Sequence, residues 1–202
     1  MKISEQYING LKKAYLDNNA TAQWEHFENI KHGAAKEDIA VIKEKYPSVP
    51  DSLLDLLAYV DGTYWREYQG EKIAFDFLGS DVDEYTYPYY LFSSAQILEE
   101  GFGNGYGLYD FLDWMKEYGY FELYDKRLTN KPENARWLCF SHCMNNGGTS
   151  TLYIDFTPSK KGRAGQIVRY LHDPDQYKVI ADSFDDYLKM LMANGYKFIH
   201  EL

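Results

Sequence analysis

The stretch Arg136–Asp173 limits the choice of fold more than any other. It reads RWLCFSH, a turn containing NNGG, then TLYIDF, a loop TPSKKGRAG, and QIVRYLHD. Each apolar run alternates with period two and is rich in β-branched and aromatic residues, and Asn, Gly and Pro separate the runs. Successive strand side chains point to opposite faces, so this pattern predicts an antiparallel meander. Strict alternation puts Trp137, Cys139 and Ser141 on one face of the first strand and Leu138, Phe140 and His142 on the other. Leu152, Ile154 and Phe156 alternate with Tyr153 and Asp155. Apolar residues on both faces call for helices over at least one of them.

The flanking sequence supplies those helices. Ile3, Tyr7, Leu11 and Tyr15 make one stripe at helical spacing over residues 3–17. A second helix is expected over Ala20–Ile30, a third over Lys36–Tyr46, and a fourth after Pro50, closed by Gly62 in a left-handed cap. Tyr64–Tyr68 and Lys72–Phe77 read as strands joined at Gln69 and Gly70, with Tyr89–Phe92 as a further strand. Short helices are expected at Ser94–Glu100 and Leu108–Tyr118. Ser183 and Asp186 open a closing helix, Phe184–Ala193, in the manner of a capping box. Helices, strands, a mixed middle, a meander and a last helix give an α+β fold: an antiparallel or mixed sheet with flanking helices.

The charge is unevenly placed. The chain carries 31 acidic and 21 basic residues, a net charge of −10. Residues 71–125 hold twelve of the acidic groups and only Lys72 and Lys116, so the rest of the chain is balanced at 19 of each sign. Such a stretch repels phosphate and anionic lipid and attracts cationic partners. Direct nucleic-acid or membrane binding is therefore not expected. The opening MKISEQYINGLKKAY has no apolar block, which with two cysteines predicts a cytoplasmic protein.

Catalytic and metal motifs are weak. Cys139, His142 and Cys143 lie close in sequence, but four residues of strand span about 13 Å, and bonds of about 2.0–2.3 Å then cannot bring both thiols to one ion. Buried thiols are expected instead. The glycines of GFGNGYG match no dinucleotide fingerprint and precede no Lys-Ser or Lys-Thr. His26, His32, His142, His172 and His200 are scattered, with no nucleophile elbow. No catalytic set, metal or cofactor is expected.

Two blocks resemble the SUKH superfamily, specifically the Smi/Knr type named for a yeast cell-wall assembly regulator. The first is GAAKEDIAVIKEKYPSVPDSLLDLLAYVDGTYW, residues 33–65: a helix with acidic residues ahead of Ile39, a second helix begun by Pro, a Gly at 62 and an aromatic at Trp65. The second runs over residues 138–191, with Gly147-Gly148, a strand ending at Asp155, Gly165 before a Val-containing strand, and the Ser183–Leu188 helix start. The resemblance implies a single SUKH-like domain over 1–202, with 1–32 as a helical extension and 101–135 as an insertion. It also implies a non-enzymatic binding module. Bacterial members are inferred to be immunity proteins that neutralise a cognate toxin, often a nuclease; the yeast relative suggests a scaffold or regulator of cell-envelope assembly.

Residues 81–92, DVDEYTYPYYLF, join three carboxylates to four tyrosines. Tyrosine gives large, rigid contact area with a polar tip. Asp81, Asp83, Glu84, Tyr85, Tyr87 and Tyr90 are the predicted contacts to a basic protein partner, one face of the strand packing inward and the other exposed.

Overall fold

A computed structural model describes residues 1–82, 85–99, 107–143, 150–172 and 175–199. Four helices come first: α1 (Ile3–Asp17), α2 (Thr21–Ile30), α3 (Lys36–Lys45) and α4 (Asp51–Tyr59). α1 and α4 bury the faces their sequences mark out, with Tyr7, Leu11 and Tyr15 inward on α1 and Leu53, Leu56 and Leu57 inward on α4, while α3 buries Ile42 and leaves Ile39 half-buried. A hairpin comes next, β1 (Tyr64–Tyr68) and β2 (Glu71–Ala74). Gln69 and Gly70 both take positive φ, 53° and 85°, the two-residue turn whose twist suits a hairpin.

The described residues then form a six-stranded antiparallel sheet in sequence order. Its strands are β3 (Leu78–Val82), β4 (Tyr85–Leu91), β5 (Trp137–Cys143), β6 (Ser150–Asp155), β7 (Gln166–Leu171) and β8 (Gln176–Ala181). The meander read from the sequence is its centre, β5 to β7. The strand expected at 72–77 ends at Ala74. Phe75 and Phe77 instead donate their N–H groups to the Thr63 and Tyr89 carbonyls, and β3, which the sequence did not announce, begins at the next residue. Its run LGSDV lacks apolar alternation. It is held from outside: Tyr187 Oη donates to the Gly79 carbonyl at 2.7 Å, and a Cβ on Gly79 would sit 2.3 Å from the Phe198 ring.

A register shift in β5 changes the faces. Cys139 opposes Tyr153 and Ser141 opposes Leu152, so two steps on β5 match one on β6. An extra residue of this kind turns the rest of the strand over relative to its partner. His142 therefore joins Trp137 and Cys139, not Leu138 and Phe140 as strict alternation requires.

The remaining helices are α5 (Ser94–Leu98), α6 (Leu108–Tyr118) and α7 (Phe184–Ala193). α7 packs Phe184 and Tyr187 on Phe140, with ring centroids 5.2 and 5.9 Å away. α6 lies over the other face, Phe111 meeting Tyr177 at 4.9 Å. Ser93 caps α5 and Ser183 caps α7, each accepting a backbone N–H three residues on. One contiguous cluster of buried apolar side chains runs from Tyr7 on α1 through the sheet to Ile199, and it includes Leu108, Phe111, Leu112, Met115 and Leu128 from the 107–135 stretch. Three tyrosines tie helices to the β2–β3 region: Tyr7 and Tyr15 donate to the Phe77 and Asp76 carbonyls, and Tyr187 to Gly79.

The 107–135 stretch is also fastened to the sheet by its backbone. Tyr124 bridges Tyr177, and Asp125 donates its N–H to the Tyr177 carbonyl. The Asp125 carboxylate accepts from the Val179 N–H, while Arg127 reaches the Val179 carbonyl and pairs with Asp125 at 2.6 Å. Burial is the largest single influence and works to raise the Asp125 carboxyl, but the hydrogen bonds from Arg127 and the Val179 N–H, with the Arg127 charge, together outweigh it and hold it below the usual carboxylate range. No helix among the described residues is long and apolar enough to cross a membrane.

Candidate partner-binding face

The predicted contacts are divided by the structure. Asp83 and Glu84 lie outside the described residues, as does the Gly147-Gly148 turn. Asp81 and Tyr85 pair with Thr86 and Val82 in the β3–β4 hairpin. Tyr87 is half-buried and packed against the core, not exposed. Tyr90 is also half-buried, its ring 4.7 Å from Tyr64 and 5.7 Å from His142. Tyr89 is fully buried between them in sequence. The expected in-and-out alternation is therefore softened, because the β1–β2 hairpin lays Tyr64 beside Tyr90.

Exposed aromatic surface is concentrated elsewhere. Among the described residues, five of the nine exposed large apolar side chains lie in residues 109–121: Tyr109, Trp114, Tyr118, Tyr120 and Phe121. This clustering departs from the scattered exposure usual on a soluble surface. Trp114 meets Tyr120 at 5.4 Å and Tyr118 at 6.0 Å. Asp110, Asp113, Glu117 and Glu122 are exposed on the same segment, with Lys116 its single base. Lys116 sits 3.3 Å from Asp113 with both side chains largely in solvent, where such a pair contributes little.

Sequence reasoning found the charge but not this patch. The signal was present. Leu108, Phe111, Leu112 and Met115 complete the buried stripe of α6, so Tyr109, Trp114 and Tyr118 are surplus to it. A sixth exposed aromatic, Trp65, is 62% exposed at φ 49° in the β1–β2 register shift. Positive φ is rare for a bulky residue and costs stability. Trp65 packs edge-on against Tyr64 at 6.0 Å.

A row of cross-strand neighbours links the two regions. Tyr90 faces His142, His142 faces Thr151, Thr151 faces Tyr170 and Tyr170 faces Tyr177. Directly opposed residues share a face, so the row runs from Tyr90 in the hairpin towards α6. His142 sits mid-row, 6% exposed, beside Tyr64, Tyr90 and Phe92. Burial lowers its pKa from 6.5 to about 4, which keeps the imidazole neutral in ordinary buffers.

Between α6 and the far end of that row lies a cavity of about 580 Å³. Rings from Phe111, Trp114, Tyr153, Tyr170 and Tyr177 line it, with Asp110 and Asp175 among its polar groups. A hollow of about 880 Å³ near α1, α4 and α7 is different in kind. Its charged groups are already partnered: Lys2 pairs with Asp55 at 2.8 Å, and Asp185 accepts from the Ser52 hydroxyl at 2.5 Å. Among the described residues no group of three or more His, Cys, Asp or Glu side chains is placed to hold a metal. Cys139 and Cys143 are both buried, and burial pushes the Cys139 thiol far above its usual range.

Asp155, a strand-ending residue of the resemblance, is wholly buried and structural. It accepts from Thr157 N–H at 2.8 Å and Gln166 Nε2 at 2.9 Å. Burial raises its pKa despite those bonds. The α4–β1 junction at Gly62 is held in a comparable way. Asp61, next to that glycine, accepts from the Ser94 N–H at 2.7 Å and from Arg66 at 2.8 Å.

A search of the curated proteins finds no match for the chain. The model of the SMI1 / KNR4 family (SUKH-1) matches residues 33–190, more than three quarters of the chain. The match takes in the first block, the stretch between the blocks and all but the last residue of the second, and leaves α1 and α2 outside. The chain belongs to the SMI1/KNR4 (SUKH-1) family.

Proposed function

We propose that this protein is a non-enzymatic binding module that neutralises a basic protein toxin, a nuclease being the class its charge suits best. The observation that carries the reading is the acidic, aromatic surface of residues 109–121, on a chain whose charge excess is confined to 71–125. A nuclease must present cationic side chains to phosphate. An acidic inhibitor that covers them gains fast, steered association, and aromatic anchors supply slow dissociation. Family membership supports a protein-binding role of this kind. The residues predicted from the sequence, Asp81, Asp83, Glu84, Tyr85, Tyr87 and Tyr90, supply a flanking contact, and the exposed Trp65 joins it.

The test is to look for a neighbouring gene that encodes a large secreted protein with a toxic carboxy-terminal domain, and to measure binding to that domain by surface plasmon resonance across ionic strength. Asp113→Asn with Glu117→Gln should slow association and flatten its salt dependence. Tyr118→Ala with Phe121→Ala should speed dissociation by about tenfold or more. Affinity independent of salt and unchanged in both variants would sink the reading. The family's yeast namesake favours a second reading, a scaffold for cell-envelope assembly. Binding of a defined envelope-assembly protein through the same face, with no toxin protection in co-expression, would select it.

A further inference from the structure

The cavity between α6 and the sheet has no role in the family match or in the fold. We propose that it is a cation-binding pocket that takes the guanidinium or ammonium group of an arginine or lysine side chain of the bound partner. The partner's identity as a basic protein rests on the reading above; the pocket's preference for a cation does not.

Three observations converge. The first is the wall. Phe111, Tyr153, Tyr170 and Tyr177 come from four elements, α6 and the adjacent strands β6, β7 and β8, and Trp114 closes the α6 side. Tyr170 and Tyr177 are 4.8 Å apart, and Phe111 meets Tyr177 at 4.9 Å. Aromatic faces are electron-rich and attract cations, the more so where water is thinned out. The second is the charge. Asp110 and Asp175 line the same space, and no lysine or arginine does among its described lining residues. Asp175 is oriented by Tyr170 Oη at 2.9 Å and His172 Nδ1 at 3.1 Å, both to Oδ1. The third lies deep. Thr151 is 4% exposed and lines the cavity. Its hydroxyl is near enough to Tyr153 to act on that phenol, yet makes no hydrogen bond of ordinary length among the described residues. A buried polar atom left this way is costly, and a bound donor or water would satisfy it.

The volume also fits. About 580 Å³ lies within the usual range for a binding pocket, enough for one long cationic side chain and some water. Arginine matches best, since its planar group can stack on a ring while its edge reaches a carboxylate.

The experiment begins with the protein alone. N-acetyl-arginine amide, N-acetyl-lysine amide and the neutral isostere N-acetyl-citrulline amide are titrated against it, following the Tyr170, Tyr177 and Trp114 ring signals by NMR. The arginine probe should shift these signals, and the citrulline probe should bind about tenfold more weakly or not at all. Asp110→Asn with Asp175→Asn should abolish that preference; both residues are surface-reaching, and a thermal melt confirms folding. Equal binding of arginine and citrulline probes, or no binding of either, overturns the proposal. The second arm uses the toxin domain. Loss of at least about tenfold in affinity in the same double variant supports a partner side chain as the occupant. An unchanged toxin affinity beside a cation-selective probe response overturns that part and leaves a site for a free small cation. Failure of the toxin to bind wild-type protein at all counts against the function reading and not against the pocket.

Discussion

Gly62 is where a single missing side chain matters most. It takes φ 85°, and a Cβ there would lie 2.7 Å from the Ser93 nitrogen and 2.9 Å from its Cα. Both are backbone atoms that cannot turn aside. Gly62→Ala should therefore cost more than about 2 kcal/mol, combining left-handed strain with overpacking. Gly70 has the same φ but open space around it, so Gly70→Ala should cost only about 1 kcal/mol. Urea denaturation of the two variants checks the difference. His142 gives a second residue-level expectation. Burial holds its folded pKa near 4 against 6.5 in the unfolded chain. Its contribution to stability is then complete above pH 6.5 and is lost as pH falls towards 4, because the unfolded state takes up the proton first. The loss is up to about 3 kcal/mol. Unfolding measured at pH 7.5, 5.5 and 4.5 should show this decline, and His142→Phe should flatten it.

At the scale of elements, α6 divides into a buried stripe that holds the fold and a set of exposed rings that the fold does not use. Phe111 is on its buried stripe, and Phe111→Ala should cost about 3 kcal/mol or more. Tyr118 and Phe121 are 59% and 61% exposed. Tyr118→Ser with Phe121→Ser should change stability by no more than about 0.5 kcal/mol, as read by thermal melts. A larger loss would mean that these rings belong to the fold. The helices were legible in the sequence because their stripes repeat over three or four turns, as Tyr7, Leu11 and Tyr15 do. The meander was legible because alternation and turn residues agree. β3 was not, since Gly79 and Ser80 carry no strand signal and Tyr187 and Phe198, over a hundred residues away, hold it in place. The face of His142 was not legible either, because the register shift after Cys139 leaves no mark in composition. The acidic half of the candidate face could be read from charge alone. Its aromatic half could have been read from the surplus on α6. The cavity could not, as its walls come from 107–114, 151–153 and 170–177 at once.

For the whole molecule, the contiguous core from Tyr7 to Ile199 is expected to unfold as one cooperative unit, α1 and α2 included. Calorimetric and van't Hoff enthalpies should then agree. Two separated transitions, or proteolytic release of residues 1–32 that leaves the remaining core folded, would show that the extension is held independently.

The clamp of Asp125 and Arg127 on Val179 has a consequence for how these molecules tolerate crowding. An outermost strand with bare amides is a template on which further chains can polymerise. Here residues 124–127 occupy that side of β8, and Phe198 and Tyr187 obstruct the opposite margin at Gly79. Removing the clamp with Asp125→Ala and Arg127→Ala should leave the native protein folded but open its flank. On gentle warming at high concentration, that variant should form thioflavin-positive fibres sooner than the wild type.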